Sequence, residues 1–231
     1  MEKYGTVPKR FTKGWWEWFW EYYKLHVLAG GFVLLIAGVT VYQAVTKTNY
    51  DISVTYMGTY SAGESQLEKI SSELESAVPD VNGNGKTDVF FQVLTSGAQT
   101  ETSLGTSKDA EYTMAIETKK MFELQMGDSF AFIVNKAQMN GWYANELAQG
   151  MFSEADSWLS EENKACERAE GFGEKYFVKI PTPNIFTDAD FAKDEELYIA
   201  VRVIRENEDK EKAEAIQKAS FDAANYILMK R

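Results

Sequence analysis

Hydrophobic positions in this chain follow three rhythms. From Val27 to Val45 they are continuous: no residue is charged, and only Thr40 and Gln43 are clearly polar. That run, at 1.5 Å per residue, reaches about 28 Å, close to a hydrocarbon core of about 30 Å. Just before it come Trp15, Trp16, Trp18, Phe19, Trp20, Tyr22 and Tyr23, the composition of an aromatic belt at a membrane surface. The pattern predicts an aromatic-basic interfacial segment over 1–26 and an uncleaved membrane-spanning helix over 27–45. A cleaved signal fits less well, because the apolar run exceeds an h-region of about 7–15 residues. Tyr42-Gln43-Ala44-Val45-Thr46-Lys47 also offers no small-x-small cleavage site. A buried core helix would leave the aromatic run unexplained.

Beyond residue 46 the rhythm alternates between periods of two and of three to four. Ile52–Met57 is β-rich and alternating, Val89–Leu94 and Ser129–Val134 are apolar enough to lie inside a sheet, and Lys175–Ile180 and Leu197–Ile204 also read as strands. Between them lie helical stripes. Ser61 and Glu64 have capping-box spacing before a helix carrying Leu67, Ile70, Leu74 and Ala77 or Val78. Residues 95–107 read as a loop. Asp109–Gln125 reads as a helix with Tyr112, Ala115, Ile116, Lys119 and Phe122 on one side. Asn135 is a good N-cap for a helix to about Leu147. Asp209 to about Met229 closes the chain with Ala213, Ile216, Ala219, Ala223 and Tyr226 inward. Residues 150–173 have no clear period. The order predicts an α/β chain: a single transmembrane helix followed by a three-layer extracytoplasmic domain over 46–231 with a mostly parallel sheet.

Charge sets the orientation. Residues 1–26 hold Lys3, Lys9, Arg10, Lys13 and Lys24, whereas only Lys47 lies close on the other side. The positive-inside rule then places the N-terminus in the cytoplasm. The first 45 residues carry five basic and three acidic groups of a chain with net charge −11, so residues 46–231 carry −13. A surface this acidic argues against nucleic acid and against lying flat on anionic lipid. Cys166 is the only cysteine, which excludes a disulfide framework within the chain and a cysteine-rich metal site. An outer domain without disulfides fits a bacterial surface protein.

Met126-Gly127-Asp128-Ser-Phe-Ala-Phe-Ile-Val134, with Asn135 to Leu147 after it, resembles a segment of bacterial extracellular solute-binding proteins of the type 2 periplasmic-binding fold. Ile52–Val93 is similar to the first strand, helix and second strand of one such lobe. Trp18-Phe-Trp-Glu-Tyr-Tyr-Lys-Leu-His26 resembles the preface of membrane-anchored proteins from clostridia-like bacteria. The resemblance implies a binding lobe, and the chain has room for about one.

Candidate chemistry is sparse. Asp80, Asn82, Asn84, Lys86 (through its carbonyl) and Asp88 have the spacing of a calcium loop with Gly85 at its sixth position. The twelfth position is Phe91, not a carboxylate, so an Asn-Gly turn into a strand is the competing reading. Gly83-Asn-Gly-Lys86-Thr87 lacks the first glycine of a phosphate loop, because Asp80 stands there. His26, the only histidine, sits at the membrane edge, which removes Ser-His and Cys-His systems and His-based zinc sites from the outer domain. Cys166 is surrounded by Glu161, Glu162, Glu167 and Glu170, which disfavour its thiolate. Asp188, Asp190, Asp194, Glu195 and Glu196 read as a solvated loop, and Tyr56, Tyr60, Trp142, Tyr143 and Trp158 as core or as the lining of a groove.

Open α/β sheets bind ligands beyond the carboxyl ends of their strands. Here those positions are Gly58, Thr59, Tyr60, Thr95, Ser96 and Asn135. The expectation is a non-enzymatic binding or docking subunit of an envelope or transporter complex, without a cofactor unless calcium binds. Its expected partners are an integral membrane or envelope protein, and lipid through the anchor; a small-molecule ligand stays open. The alternative is a carboxylate-based hydrolase of the cell envelope. A third reading is a structural transporter partner that packs through Gly31 and Gly38. The orientation has a direct test. With Cys166 replaced by Ser, a cysteine placed at Ser61 reacts with an impermeant thiol reagent in intact cells, and one at Lys9 does not. Reversed labelling would sink the orientation.

Overall fold

The computed structural model describes residues 8–46, 49–95, 107–144 and 150–229. The chain divides into two compact units, Met1–Thr48 and Asn49–Arg231. In the first, one 34-residue helix, α1 (Lys13–Thr46), runs through both the aromatic segment and the apolar run without a break. Phe11, Trp15, Phe19 and Tyr23 form a ladder at four-residue spacing, with ring centroids 5.5, 5.2 and 5.3 Å apart. Phe32, Val33, Leu34 and Leu35 are all exposed. By length and composition α1 is able to cross a membrane.

The second unit is built on five strands: β1 (Ile52–Met57), β2 (Val89–Val93), β3 (Ala131–Asn135), β4 (Val178–Lys179) and β5 (Leu197–Val201). The helices are α2 (Glu64–Glu75), α3 (Ser107–Met126), α4 (Lys136–Ala144), α5 (Ile185–Asp188) and α6 (Lys210–Leu228). Sheet order is β2-β1-β3-β5-β4. β1 pairs in parallel with β2 and with β3, whereas β5 is antiparallel to both β3 and β4. The sheet is therefore mixed, which corrects the mostly parallel expectation. The cause lies in residues 180–196. A parallel return needs a crossover that traverses the sheet, usually a helix. This segment holds only the four-residue α5, and the two strands it joins, β4 and β5, pair as antiparallel neighbours.

β3 is buried on both faces, which explains its unbroken apolar run. Ala131 and Ile133 join one cluster with Ile52, Val54, Tyr56, Phe91 and Ile199. Ile70 and Leu74 of α2, Phe186 of α5 and Ala219, Ala223 and Ile227 of α6 cover that face. Phe132 and Val134 join the opposite cluster with Leu124 of α3, Met139 and Trp142 of α4, and Phe152 and Phe177. The buried Thr55 and Ser129 hydroxyls satisfy each other at 2.7 Å.

Several local expectations shift. The cap of α2 is not the Ser61–Glu64 pair. Gly63 precedes the helix, and its amide donates to Gln66 Oε1 at 2.9 Å. The inward side of α3 is Ile116, Lys120 and Leu124, while Tyr112 and Phe122 are exposed. Lys120 is buried with its ammonium bonded to Glu117 and Gln138, both at 2.9 Å. α4 extends to Ala144, and its expected last turn falls outside the described residues. Asp209 caps α6 through the amide of Lys212, and the expected inward positions Ala213, Ala219 and Ala223 are buried.

An arginine clasp closes the end of the sheet where β3 begins. Arg202, only 2% exposed, pairs with Glu208 at 2.6 and 3.0 Å. Its Nε donates to the Ser129 carbonyl at 2.8 Å, and its guanidinium lies 3.7 Å over the Phe130 ring. Arg205 donates to the carbonyls of Gln125 and Gly127 at the end of α3, where the helix leaves acceptors unpaired. Partial burial alone raises the Glu208 carboxyl, but hydrogen bonds from Arg202 and from the Arg205 amide outweigh it and pull it down to about 2. Arg202 is pushed below its own ordinary value by burial, yet a guanidinium stays charged. Because the Glu208 value is depressed on folding, its stabilisation is complete above its unfolded value. It is lost as pH falls through about 2. Glu208→Ala leaves a buried charge unpaired and costs about 3 kcal/mol in denaturant melts at pH 7. The variant also loses part of the acid-induced decline between the ordinary glutamate range and about pH 2. An unchanged midpoint and unchanged acid profile would contradict this role.

Candidate functional site at the ends of β1 and β3

β1 connects to β2 on one side, while β3 lies on its other side, so the chain changes direction between β1 and β3. Such a switch point is where open α/β sheets leave a crevice. The expected positions Gly58, Thr59, Tyr60, Thr95 and Asn135 come together there, whereas Ser96 lies outside the described residues. What joins them is a residue the sequence reading left in a solvated loop. Glu195 Oε2 accepts the Tyr56 hydroxyl. Its Oε1 accepts Asn135 Nδ2 at 2.6 Å and the Thr59 amide at 3.3 Å.

Each donor is positioned by its own element. Asn135 ends β3 and caps α4, its Oδ1 accepting the Gln138 amide at 2.8 Å. That bond orients the side-chain amide, so Nδ2 faces Glu195 and also approaches Thr59 Oγ1 at 3.2 Å. Tyr56 is fully buried, its ring 4.9 Å from Phe191. Its oxygen accepts the Tyr60 amide at 3.2 Å. Thr95 Oγ1 donates to the Thr59 carbonyl at 2.9 Å. Gly58 has no alternative: a Cβ there would collide with the Tyr56 phenol and Glu195 Oε2. Burial first, and then the bond to Glu195, pushes the Tyr56 phenol far above its ordinary value, so it is a donor at any physiological pH.

Next to Glu195 a pocket of about 270 Å³ opens between Lys179, Thr182, Asn184, Thr187, Lys193 and Glu196. Lys179 bridges Glu196 at 2.9 Å and Glu167 at 3.0 Å, bonds that raise its value and lower that of Glu196. A larger groove of about 810 Å³ borders β4 and includes the half-buried Cys166, Pro181 and Met229. It contains none of the residues at the switch point, so hydrogen-bond geometry rather than volume defines the site. Among the described residues the aromatic groove does not form. Tyr56 and Trp158 are buried in one cluster, Trp142 is buried on the opposite face, and Tyr60 alone of the described members is exposed.

The loop over 80–88 is held from within. Asp80 accepts the Gly83 and Gly85 amides, both at 2.7 Å. Asn82 Oδ1 accepts the Asn84 amide at 3.0 Å, and Asn84 Oδ1 that of Lys86 at 2.7 Å. Both glycines have positive φ, which side chains rarely adopt. Asp51, buried just before β1, accepts the amides of Val81, Asn82 and Asp88 at 2.8, 2.9 and 2.8 Å. Among the described residues no group of three or more His, Cys, Asp or Glu side chains is placed to share an ion. The loop is cradled by Asp51, which sequence spacing alone did not reveal. Asp80, Asn82, Asn84, the Lys86 carbonyl and Asp88 remain the atoms that calcium would use, since each oxygen keeps a lone pair.

No family model, curated protein or solved structure matches the chain.

The turn reading makes a specific prediction. The full-length protein in detergent has the same melting temperature in calcium and in chelator. A calcium-dependent rise that Asp80→Ala with Asp88→Ala abolishes would contradict it and establish a calcium site.

Proposed function

We propose that this chain is a single-pass membrane protein whose outer domain is a solute-binding-like lobe. It serves as a binding or docking subunit of an envelope or transporter complex. In this reading α1 is an uncleaved anchor with its N-terminus in the cytoplasm, and residues 46–231 lie outside. The domain is then a three-layer lobe, with α2, α5 and α6 on one face of the sheet and α3 and α4 on the other.

One observation carries the binding reading: convergent polar groups on Tyr56, Thr59, Asn135 and Glu195 at the β1–β3 switch point. Among the described residues Thr59 and Tyr60 are exposed there, and the neighbouring pocket measures about 270 Å³. Enclosed small-molecule sites are usually larger, roughly 300–1,000 Å³. An exposed polar face at strand ends is better suited to a protein partner. Full-length protein pulled down from native membranes recovers a specific integral membrane protein, and Thr59→Ala with Asn135→Ala reduces that recovery at least about tenfold, which corresponds to about 1.4 kcal/mol. Recovery of nothing specific, together with turnover of a wall glycan or peptide by the purified protein, would replace this reading with the hydrolase.

A further inference from the structure

We infer that the Tyr56 hydroxyl, the Thr59 amide and Asn135 Nδ2 form a recognition site for a carboxylate group, and that Glu195 fills it as an intramolecular stand-in. The inference rests on the binding reading of the switch point and names the chemistry of its ligand. Three donors converge on the two oxygens of one carboxylate. All three are neutral. The charged neighbours include the acidic Asp190, Asp194 and Glu196, and the nearby Lys136, Lys179 and Lys193 already pair with Glu196, Glu167 and Asp190. That setting suits a planar monoanion and opposes a phosphate dianion.

Each donor also has a contact that does not use the Glu195 carboxylate. Capping of α4 fixes Asn135, the contact with Phe191 fixes Tyr56, and the Thr95 hydroxyl holds the Thr59 carbonyl. Preorganised donors bind an incoming group at little ordering cost. Glu195 is attached differently. Its segment is anchored by the buried Phe191 and Ala192, after which Lys193, Asp194 and Glu196 are exposed and Glu195 is half-buried. Asp190 and Ala192 hold φ of 54° and 47°, the left-handed region that non-glycine residues seldom occupy. Strained residues of this kind gather at ligand clamps and switches. The pocket of about 270 Å³ touches Glu195 and gives its side chain space to withdraw into. An incoming carboxylate then takes the same three hydrogen bonds, and no covalent bond changes.

A small acidic solute and an acidic side chain of a partner share this chemistry, and the test separates them. Full-length Glu195→Ala in detergent is melted with sodium acetate and with sodium chloride at equal ionic strength. Acetate raises its melting temperature by roughly 3 °C above chloride, a shift that follows from binding to the folded state alone. Wild type does not respond, and Glu195→Ala with Asn135→Leu loses the response. If the alanine variant does not fold, Glu195→Gln keeps one acceptor oxygen and shows a smaller acetate shift. No acetate effect in either single variant, or an equal effect with and without Asn135, overturns the inference. Acetate that releases a captured membrane partner assigns the carboxylate to that partner, and capture unaffected by acetate assigns it to a solute. An acetate response with no partner recovered keeps the carboxylate site and removes the docking reading; a recovered partner with no acetate response does the reverse.

Discussion

The hydrogen bonds of Glu195 decide what the end of the sheet looks like. One carboxylate draws together the end of β1, the end of β3 and the segment before β5, joining residues up to 139 positions apart. Burying the Tyr56 hydroxyl without a partner would be costly. The Glu195 carboxylate removes that cost and in turn depends on a glycine at 58, where any side chain would occupy the same space. Core packing and site geometry therefore meet at one residue. Tyr56 contributes its ring to the apolar cluster through Phe191 and its hydroxyl to the polar one.

The opposite end of the domain is stabilised on a different principle. Arg202 and Arg205 serve carbonyls at the end of α3, and Glu208 pairs with both. This gives the Gly127 region a structural role, since its carbonyl is an acceptor in the clasp. With both ends of β3 tied by side-chain networks and both faces covered, the central strand holds the switch-point donors in place. A binding surface is most precise when rigid elements carry it.

Legibility in the sequence followed the range of the interactions. The apolar run of α1, the alternation of β1 and the buried strand β3 were plain, because hydropathy period is a local property, whereas β2 reads as interior yet lies at the edge of the sheet with Phe90 exposed. Asn135 as a cap was also readable, since one side chain and the next helical turn suffice. The direction of β5 was not, because it is set by pairing with the distant β3 and with β4 rather than by any local pattern. The inward side of α3 was misread, since a lysine whose charge is paired within the fold counts as surface in any hydropathy pattern. Glu195 was the hardest to see. Nothing local separates it from Asp194 or Glu196, and its partners come from distant strands. Asp51 was hidden for the same reason, as its three donors arise about thirty residues later.

The central claim is that partners or ligands meet this protein at the carboxyl ends of β1 and β3. Tyr60 is exposed beside that cluster, whereas Phe122 is exposed on α3. A photo-crosslinking residue placed at each position in turn, in the full-length protein within native membranes, reads contact directly. The account predicts a discrete crosslinked product from position 60 and none from position 122. Crosslinking from position 122 alone would contradict it.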